Sequence, residues 1–424
     1  MQSKAPVAPF PKVLPVRKRA AIVNATLQQR FETILPAIMT ETSIDLWLII
    51  GHEDNHDPIF KTITPWQVWA PILQIVVFYQ PAPNQPVERI NLSRTNMMGL
   101  MTDGWDPNGT EEQWAALRRV IEERNPQKIG INESSIIWAA DGLTVALKTK
   151  LVETLGDQLA AKLVSAEPLA IRWLETRLPA ELELYQHAAK IAHALIKECF
   201  SREVITPGIT TIEDLRWHWW QRATDMGLPV SFPPFFLRIR GPENTGRWGA
   251  DDFVIREGDL LHCDVGVEYL RLLTDHQEMA YVLRPGESGP PASLVAGMAE
   301  GNRLQDIFTA SWQQGQSGNQ ILETALMRAH AAGIPNPRIY SHSLSHYLHE
   351  PGPLMGLPWE QEHCPGRGDV VMHYNTVYTV ELSVTVPVPE WGGQAVRLML
   401  EQDAAYTEAG VVYMDGRQTA FHLV

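Results

Sequence analysis

Apolar and polar positions alternate with two different periods along the first 165 residues. The runs IDLWLII (44–50), ILQIVVFY (72–79), VERINL (87–92) and KIGIN (128–132) are short and rich in β-branched and aromatic residues, which predicts strands. TEEQWAALRRVIEER (110–124), with Thr110 as its N-cap, and the segment after Asp141 carry helical spacing. Strands and helices in alternation predict an α/β domain with a partly parallel sheet. Ahead of it, Pro6, Pro9, Pro11 and Pro15 punctuate an N-terminal arm, residues 1–16.

The pattern loosens over 165–180, where Pro168 and Pro179 act as breakers. This predicts a first domain over 17–170 and a second over 171–424. The second opens with a helix over 180–200, whose Leu184, Ala188, Ile191, Leu195 and Phe200 fall on one stripe. Thr211 and Asp214 read as a capping box for the next helix, and Trp217, Trp219 and Trp220 as its packing residues. Strands (252–284), helices (about 292–314 and 318–332) and strands to the end predict an α+β domain.

Composition narrows the function. A chain of 424 residues with 45% hydrophobic residues has ample core, and a net charge of −14 argues against a phosphate backbone as partner. No apolar run is long enough to span a membrane. The start lacks the h-region of a signal peptide, so a cytoplasmic chain is expected, or a secreted or periplasmic one if a leader has been removed. Cys199, Cys263 and Cys364 form no disulfide framework and no CxxC knuckle, and are expected to be buried thiols.

The candidate chemistry lies in acids set among apolar residues. In HCDVGVEYLRLLTDHQE (262–278), Asp264 follows Leu260 and Leu261, and Asp275 follows Leu270, Leu272 and Leu273. A hairpin centred on Tyr269–Leu270 would put the two aspartates directly opposite, where like charges repel unless a cation lies between them. The alternative is a pair of exposed hairpin aspartates, which the apolar neighbours disfavour. Glu381 interrupts TVYTVELSVTV, and Glu401 interrupts QAVRLMLEQDAAY with Arg397 and Asp403 on its strand face. SHSLSHYLHEPGP adds His342, His346 and His349, whose imidazoles suit metal ligation or oxyanion stabilisation.

Asp, Asp, His, Glu, Glu in this order resembles the pita-bread metallopeptidases of family M24, the group of Xaa-Pro aminopeptidase, prolidase, methionine aminopeptidase and the metal-free creatinase. GDLLHCDVGVEYLRLLTD, VYTVEL and LEQDAAYTEAG are similar to the family's motifs, and the likeness covers roughly 175–424. The resemblance implies an α/β creatinase-type N-terminal domain and an α+β pita-bread catalytic domain, commonly as a homodimer. It implies Asp264, Asp275, Glu381 and Glu401 as metal ligands. For the histidine two frames stand: HSLSH makes His346 the ligand and His342 the substrate-side residue, whereas His349-Glu350-Pro351-Gly352 makes His349 the ligand. His342, Glu381 and His349 are the catalytic candidates. Two departures concern the substrate: Arg247 stands where the family has a substrate-contacting histidine, and Met399 where it has an arginine, with Arg397 on the same strand face. Arg247 and Arg397 are accordingly candidates for substrate binding.

The implied activity is hydrolysis of the bond before proline in a peptide or small amide by a metal-bridging hydroxide. Two divalent ions are implied, with manganese first for an oxygen-rich set and zinc, cobalt or iron next. Two other readings stand beside it: hydrolysis of a non-proline amide, ester or phosphoester, and a binding module on a catalytically dead pita-bread fold.

Overall fold

The computed structural model describes residues 10–66, 68–349 and 351–424. Pro6 and Pro9 of the arm and Glu350 lie outside the described residues. The chain divides into two compact units. One comprises 15–180 with 345–352; the other comprises 181–344 and 353–424, together with residues 10–14.

In the N-terminal unit the order is α1 Val16–Thr42, β1 Leu46–His52, α2 Phe60–Ile63, β2 Leu73–Tyr79, β3 Glu88–Asn91, β4 Thr102–Asp103, α3 Gln113–Arg124, β5 Ile129–Ile131, α4 Val145–Ala160, β6 Leu163–Ser165 and α5 Glu167–Glu175. The strands form one sheet in the order β4-β3-β2-β1-β5-β6. β1 pairs antiparallel with β2 and parallel with β5, so the sheet is mixed. Both faces are covered. Leu48, Ile50 and Val77 pack with Leu117, Ile121 and Leu151. Trp47 and Phe78 occupy the other face, where Trp47 lies edge-on to Trp173 and Phe31 stacks on Trp173 at 5.6 Å. Burial on both faces is why β1 and β2 read as continuous apolar runs.

Three features differ from the sequence reading. Helix α3 starts at Gln113 with Glu112 as its N-cap, so Thr110 caps nothing. A turn closed by Gly109 N to Asp106 O (3.0 Å) precedes it, and Glu111 is drawn to Arg119 at 2.8 Å. Helix α1 was not predicted, because buried Arg19 and Arg30 and an internal Pro36 interrupt its apolar stripe. Arg30 is anchored inside the unit: it donates to Thr176 O at 2.7 Å and lies 4.4 Å from the Trp173 ring centroid. That packing holds α5 to this unit, which therefore continues to residue 180.

The C-terminal unit contains α6 Pro179–Cys199, α7 Ile212–Asp225, β7 Phe235–Ile239, α8 Pro242–Trp248, β8 Leu260–Val265, β9 Glu268–Tyr269, β10 Leu272–Leu273, β11 His276–Tyr281, α9 Ala292–Thr309, α10 Gly318–Ala331, β12 Arg338–Ile339, β13 Ser343–Leu344, β14 Thr376–Thr379, β15 Leu382–Val388, β16 Gln394–Leu400, β17 Asp403–Thr407, β18 Gly410–Tyr413 and β19 His422–Leu423. Its sheets run β19-β11-β8-β7, β12-β15-β16 and β13-β14-β17-β18, with β9-β10 as a short ribbon. Helices α9 and α10 bury Leu294, Leu304, Ile321 and Leu322 in one core with Val384, Leu398 and Leu400 of the sheets. The Thr211–Asp214 capping box is present. Of the three tryptophans only Trp219 is buried; Trp217 is 55% exposed and stacks on Trp220 instead. All three cysteines are buried and free.

Candidate metal centre

Asp264 faces Gln277 across the β8–β11 pair, not Asp275. The hairpin turn sits at Leu270–Arg271, one position later than the sequence suggested, and both residues take left-handed backbone (φ 56° and 66°). A two-residue turn of that kind matches the twist of the strands it joins. The pairing moves by two residues, which keeps every side chain on its own face. Asp264 and Asp275 therefore still meet, as diagonal rather than direct neighbours. Each offers an oxygen that lies with one from Glu401 inside a 4.8 Å group.

The glutamates do not sit within strands. Glu381 falls between β14 and β15, and Glu401 between β16 and β17, where the chain leaves one sheet for the other. The register runs unbroken through both gaps, from Thr379 opposite Asp403 to Leu382 opposite Leu400, which sets Glu381 against Glu401. Beside this seam the chain returns through residues 339–344. Tyr340 N donates to Glu381 O at 3.1 Å, and Thr379 N donates to His342 O at 3.0 Å. The seam thus collects His342, Glu381 and Glu401 as a second group within 4.8 Å, sharing Glu401 with the first.

Of the three candidate histidines, His342 alone belongs to the C-terminal unit. His342 is buried, with Nε2 3.7 Å from Asp275 Oδ2, so the residue expected on the substrate side lies at ligand range from the acids. His346 and His349 belong to 345–352, which groups with the N-terminal unit.

Burial is the first cause of every acid's shift. It pushes Asp264 up to about 7. Asp275 is raised by burial and then by the charges of Asp264, Glu381 and Asp403. Glu381 and Glu401 are raised the same way, by burial first and then by neighbouring carboxylates. Asp275 Oδ1 and Glu401 Oε1 are buried with no hydrogen-bond donor. Carboxylates crowded in this way must take up protons or share cations. The donor set of four carboxylates and an imidazole fits divalent metal.

Several residues of the centre escaped the sequence reading. Gln277 Nε2 donates to Glu381 Oε1 (2.6 Å) and Glu401 Oε2 (2.9 Å), and its Oε1 is 3.0 Å from His262 Nε2. Asp403 Oδ1 accepts from Asp275 N at 3.2 Å. Tyr340 is held protonated by burial and by the charges of Glu381, Asp275 and Glu401. Two signals were visible beforehand: Asp403 on the strand face of Glu401, and the spacing of His262, two before Asp264 and so on its strand face. Asp264 and Glu381 open into a cavity of about 170 Å³ that Arg397 also lines. Arg247 does not line it. The segment after Gly241 coils into α8, whose exposed last turn carries Arg247 to a separate surface pocket with Glu243, Arg256 and Arg284.

Two β-sheets that exchange strands around a buried cluster of acids and one histidine define a metal-dependent hydrolase of the pita-bread type. The chain belongs to metallopeptidase family M24, whose profile matches residues 183–406. Its fold is similar to that of an X-Pro aminopeptidase from Thermotoga maritima MSB8, with a TM-score of 0.64 at 16% identity over 91% of this chain and 99% of that one. An Xaa-Pro dipeptidase from Bacillus anthracis gives 0.58 at 16% identity over 96% and 100%. A prolidase from Pyrococcus furiosus gives 0.52 at 14% identity over 91% and 98%. No curated protein matches the chain.

Proposed function

We propose that this metallopeptidase cleaves peptides before proline, as an Xaa-Pro aminopeptidase or dipeptidase, with two divalent ions held by Asp264, Asp275, Glu381, Glu401 and His342. The observation that carries the proposal is the pair of overlapping ligand groups, Asp264–Asp275–Glu401 and His342–Glu381–Glu401, joined at Glu401. Two groups with one common carboxylate suit two adjacent cations. The names of the structural relatives support the proline preference. The oxygen-rich set favours manganese, then zinc, cobalt or iron. A homodimer is the assembly the family likeness suggests.

Bound metal would supply Lewis-acid polarisation of the scissile carbonyl and a water acidic enough to react near neutral pH. The protein's own residues do the rest. Glu381 takes the proton of the attacking water and delivers it to the leaving nitrogen. Gln277 fixes one oxygen of Glu381 by its 2.6 Å hydrogen bond, which leaves the other for that transfer. Tyr340, kept as the phenol, is a donor for the carbonyl oxygen as charge develops on it. His342 takes the ligand role by its distance to Asp275. His346 and His349 are the alternatives the sequence offers, and single alanine substitutions separate the three by metal affinity.

The test is a panel of Xaa-Pro dipeptides and longer peptides against metal-loaded protein, beside non-proline amides, esters and phosphoesters. Cleavage confined to Xaa-Pro bonds is expected. Turnover of the other classes alone would replace the proline assignment, and no turnover with metal bound would favour a binding module.

A further inference from the structure

Arg247, set apart from the acid cluster, stands on a second cavity of about 380 Å³ that shares no lining residue with the first. Arg256 and Arg284 line it too, so three guanidiniums meet at one pocket of a chain whose net charge is −14. Their counter-charges are incomplete. Arg256 Nε lies 3.1 Å from Asp252 Oδ2, but the same oxygen also serves Arg240 Nη1 at 3.1 Å. Arg284 has Glu287 at 3.4 Å. Arg247 has no ion pair among the described residues and lies against the Trp248 ring, 4.7 Å from its centroid.

The surrounding residues hold these cations in place. Trp248 carries Arg256 as well, 4.1 Å from its centroid. Gly258, at φ 84°, makes room for the third: a Cβ there would stand 2.5 Å from the Arg284 guanidinium and displace it. Glycine alone takes that backbone readily and lets the side chain lie against it. Beneath them, buried Asn244 ties α8 to the turn before β8, donating to Glu257 O at 2.8 Å and to Asp259 Oδ1 at 3.2 Å. Asp259 is itself paired with buried Arg240 at 2.8 Å. Two acids also line the pocket, Glu257 and Glu243, the latter 3.7 Å from Arg284. Both are exposed, where water and salt screen a charge, whereas the side chains of Arg256 and Arg284 are only 21% and 30% exposed.

We propose that Arg247, Arg256 and Arg284 form a binding site for a phosphate group, carried by inorganic phosphate or a small phosphate monoester. One guanidinium fork satisfies a carboxylate, whereas a phosphate group offers three acceptor oxygens and close to two negative charges, enough to engage several. A single cavity on an acidic chain suits a small phosphate and gives a nucleic-acid backbone no continuous basic surface. The site is independent of the metal centre and of the peptidase reading.

Calorimetric titration of the metal-loaded protein with inorganic phosphate, glycerol 3-phosphate and succinate tests the site. Binding of phosphate or its ester at one site per chain is expected to persist in folded Asp275→Asn protein, which separates this pocket from the metal centre. Affinity should fall by about tenfold or more in Arg247→Met and in Arg284→Met, the size of a lost charge-assisted hydrogen bond, and Arg247→Lys should keep part of it. Arg247 is exposed, so its variant reads the site even if Arg284→Met fails to fold, which circular dichroism checks. Tighter binding of the ester assigns the site to an organic phosphate, and tighter binding of phosphate to the free ion. Succinate bound as tightly as either overturns the phosphate assignment. No binding by wild type at millimolar concentration, binding lost in folded Asp275→Asn, or binding indifferent to Arg247→Met overturns the site.

Discussion

Gln277 and Glu401 hold each other twice. Their backbones exchange hydrogen bonds, Gln277 N to Glu401 O at 3.2 Å and Glu401 N to Gln277 O at 3.1 Å, and the Gln277 amide donates to the Glu401 carboxylate at 2.9 Å. This bridge ties the hairpin bearing Asp264 and Asp275 to the seam bearing Glu381 and Glu401. Outer partners that orient metal ligands are commonly worth 10–100-fold in affinity. Gln277→Ala is therefore expected to weaken metal binding by about tenfold or more with the fold retained, measured by chelator competition and circular dichroism. Unchanged affinity would reduce Gln277 to a packing residue.

Glu381→Gln keeps the shape and removes both the charge and the proton acceptor. Turnover should fall by at least about a hundredfold, the usual size of a lost acid–base group. Steady-state kinetics on folded, metal-loaded variant checks this, and full activity would remove Glu381 from the chemistry.

Gly266 is where the hairpin closes on itself. A Cβ there would stand 1.9 Å from Thr274 O, a backbone atom that cannot swing aside. Gly266→Ala should force β8 and β11 apart, destabilise the protein by about 2 kcal/mol or more, and weaken metal binding together with stability. Urea unfolding with and without metal measures both effects. Wild-type stability in the variant would contradict the close approach.

Asp57 gives a pH signature away from the metal centre. It is buried beneath Asn132, and burial raises its carboxyl from 3.8 to about 7. The folded chain then holds a proton between those values that the unfolded chain has released. Stability must fall as pH rises through that window, by about 4 kcal/mol for this group alone. Asp57→Asn cannot ionise, so its stability between pH 4 and 7.5 should decline less than that of wild type. Parallel profiles for the two proteins would contradict a raised Asp57.

Much of this was legible in the chain because apolar runs that contain an acid are informative. Asp264, Asp275, Glu381 and Glu401 stood out as acids within apolar runs, and the capping box at Thr211 and β1, β2, β3 and β5 of the N-terminal sheet followed from local pattern, whereas the short β4 and β6 did not. The hairpin register did not, because Leu270 and Arg271 adopt left-handed backbone without the Asn or Gly that advertises such a turn. The two sheet exchanges were hidden for a related reason. TVYTVELSVTV reads as one strand, and nothing local says that residues 380–381 change partners. Helix α1 was masked by Arg30, whose burial makes sense only once Trp173 and Thr176 are known to receive it. Gln277 was unreadable for the same reason: its role lies in contacts with residues more than a hundred positions away.

The central claim is that these carboxylates share cations, and metal content measured on purified, metal-loaded protein tests it most directly. The account predicts about two ions per chain, falling in Asp275→Asn and Glu401→Gln variants that remain folded, since both residues lie in the ligand groups. Protein that stays metal-free after loading, or binding indifferent to those substitutions, would contradict it.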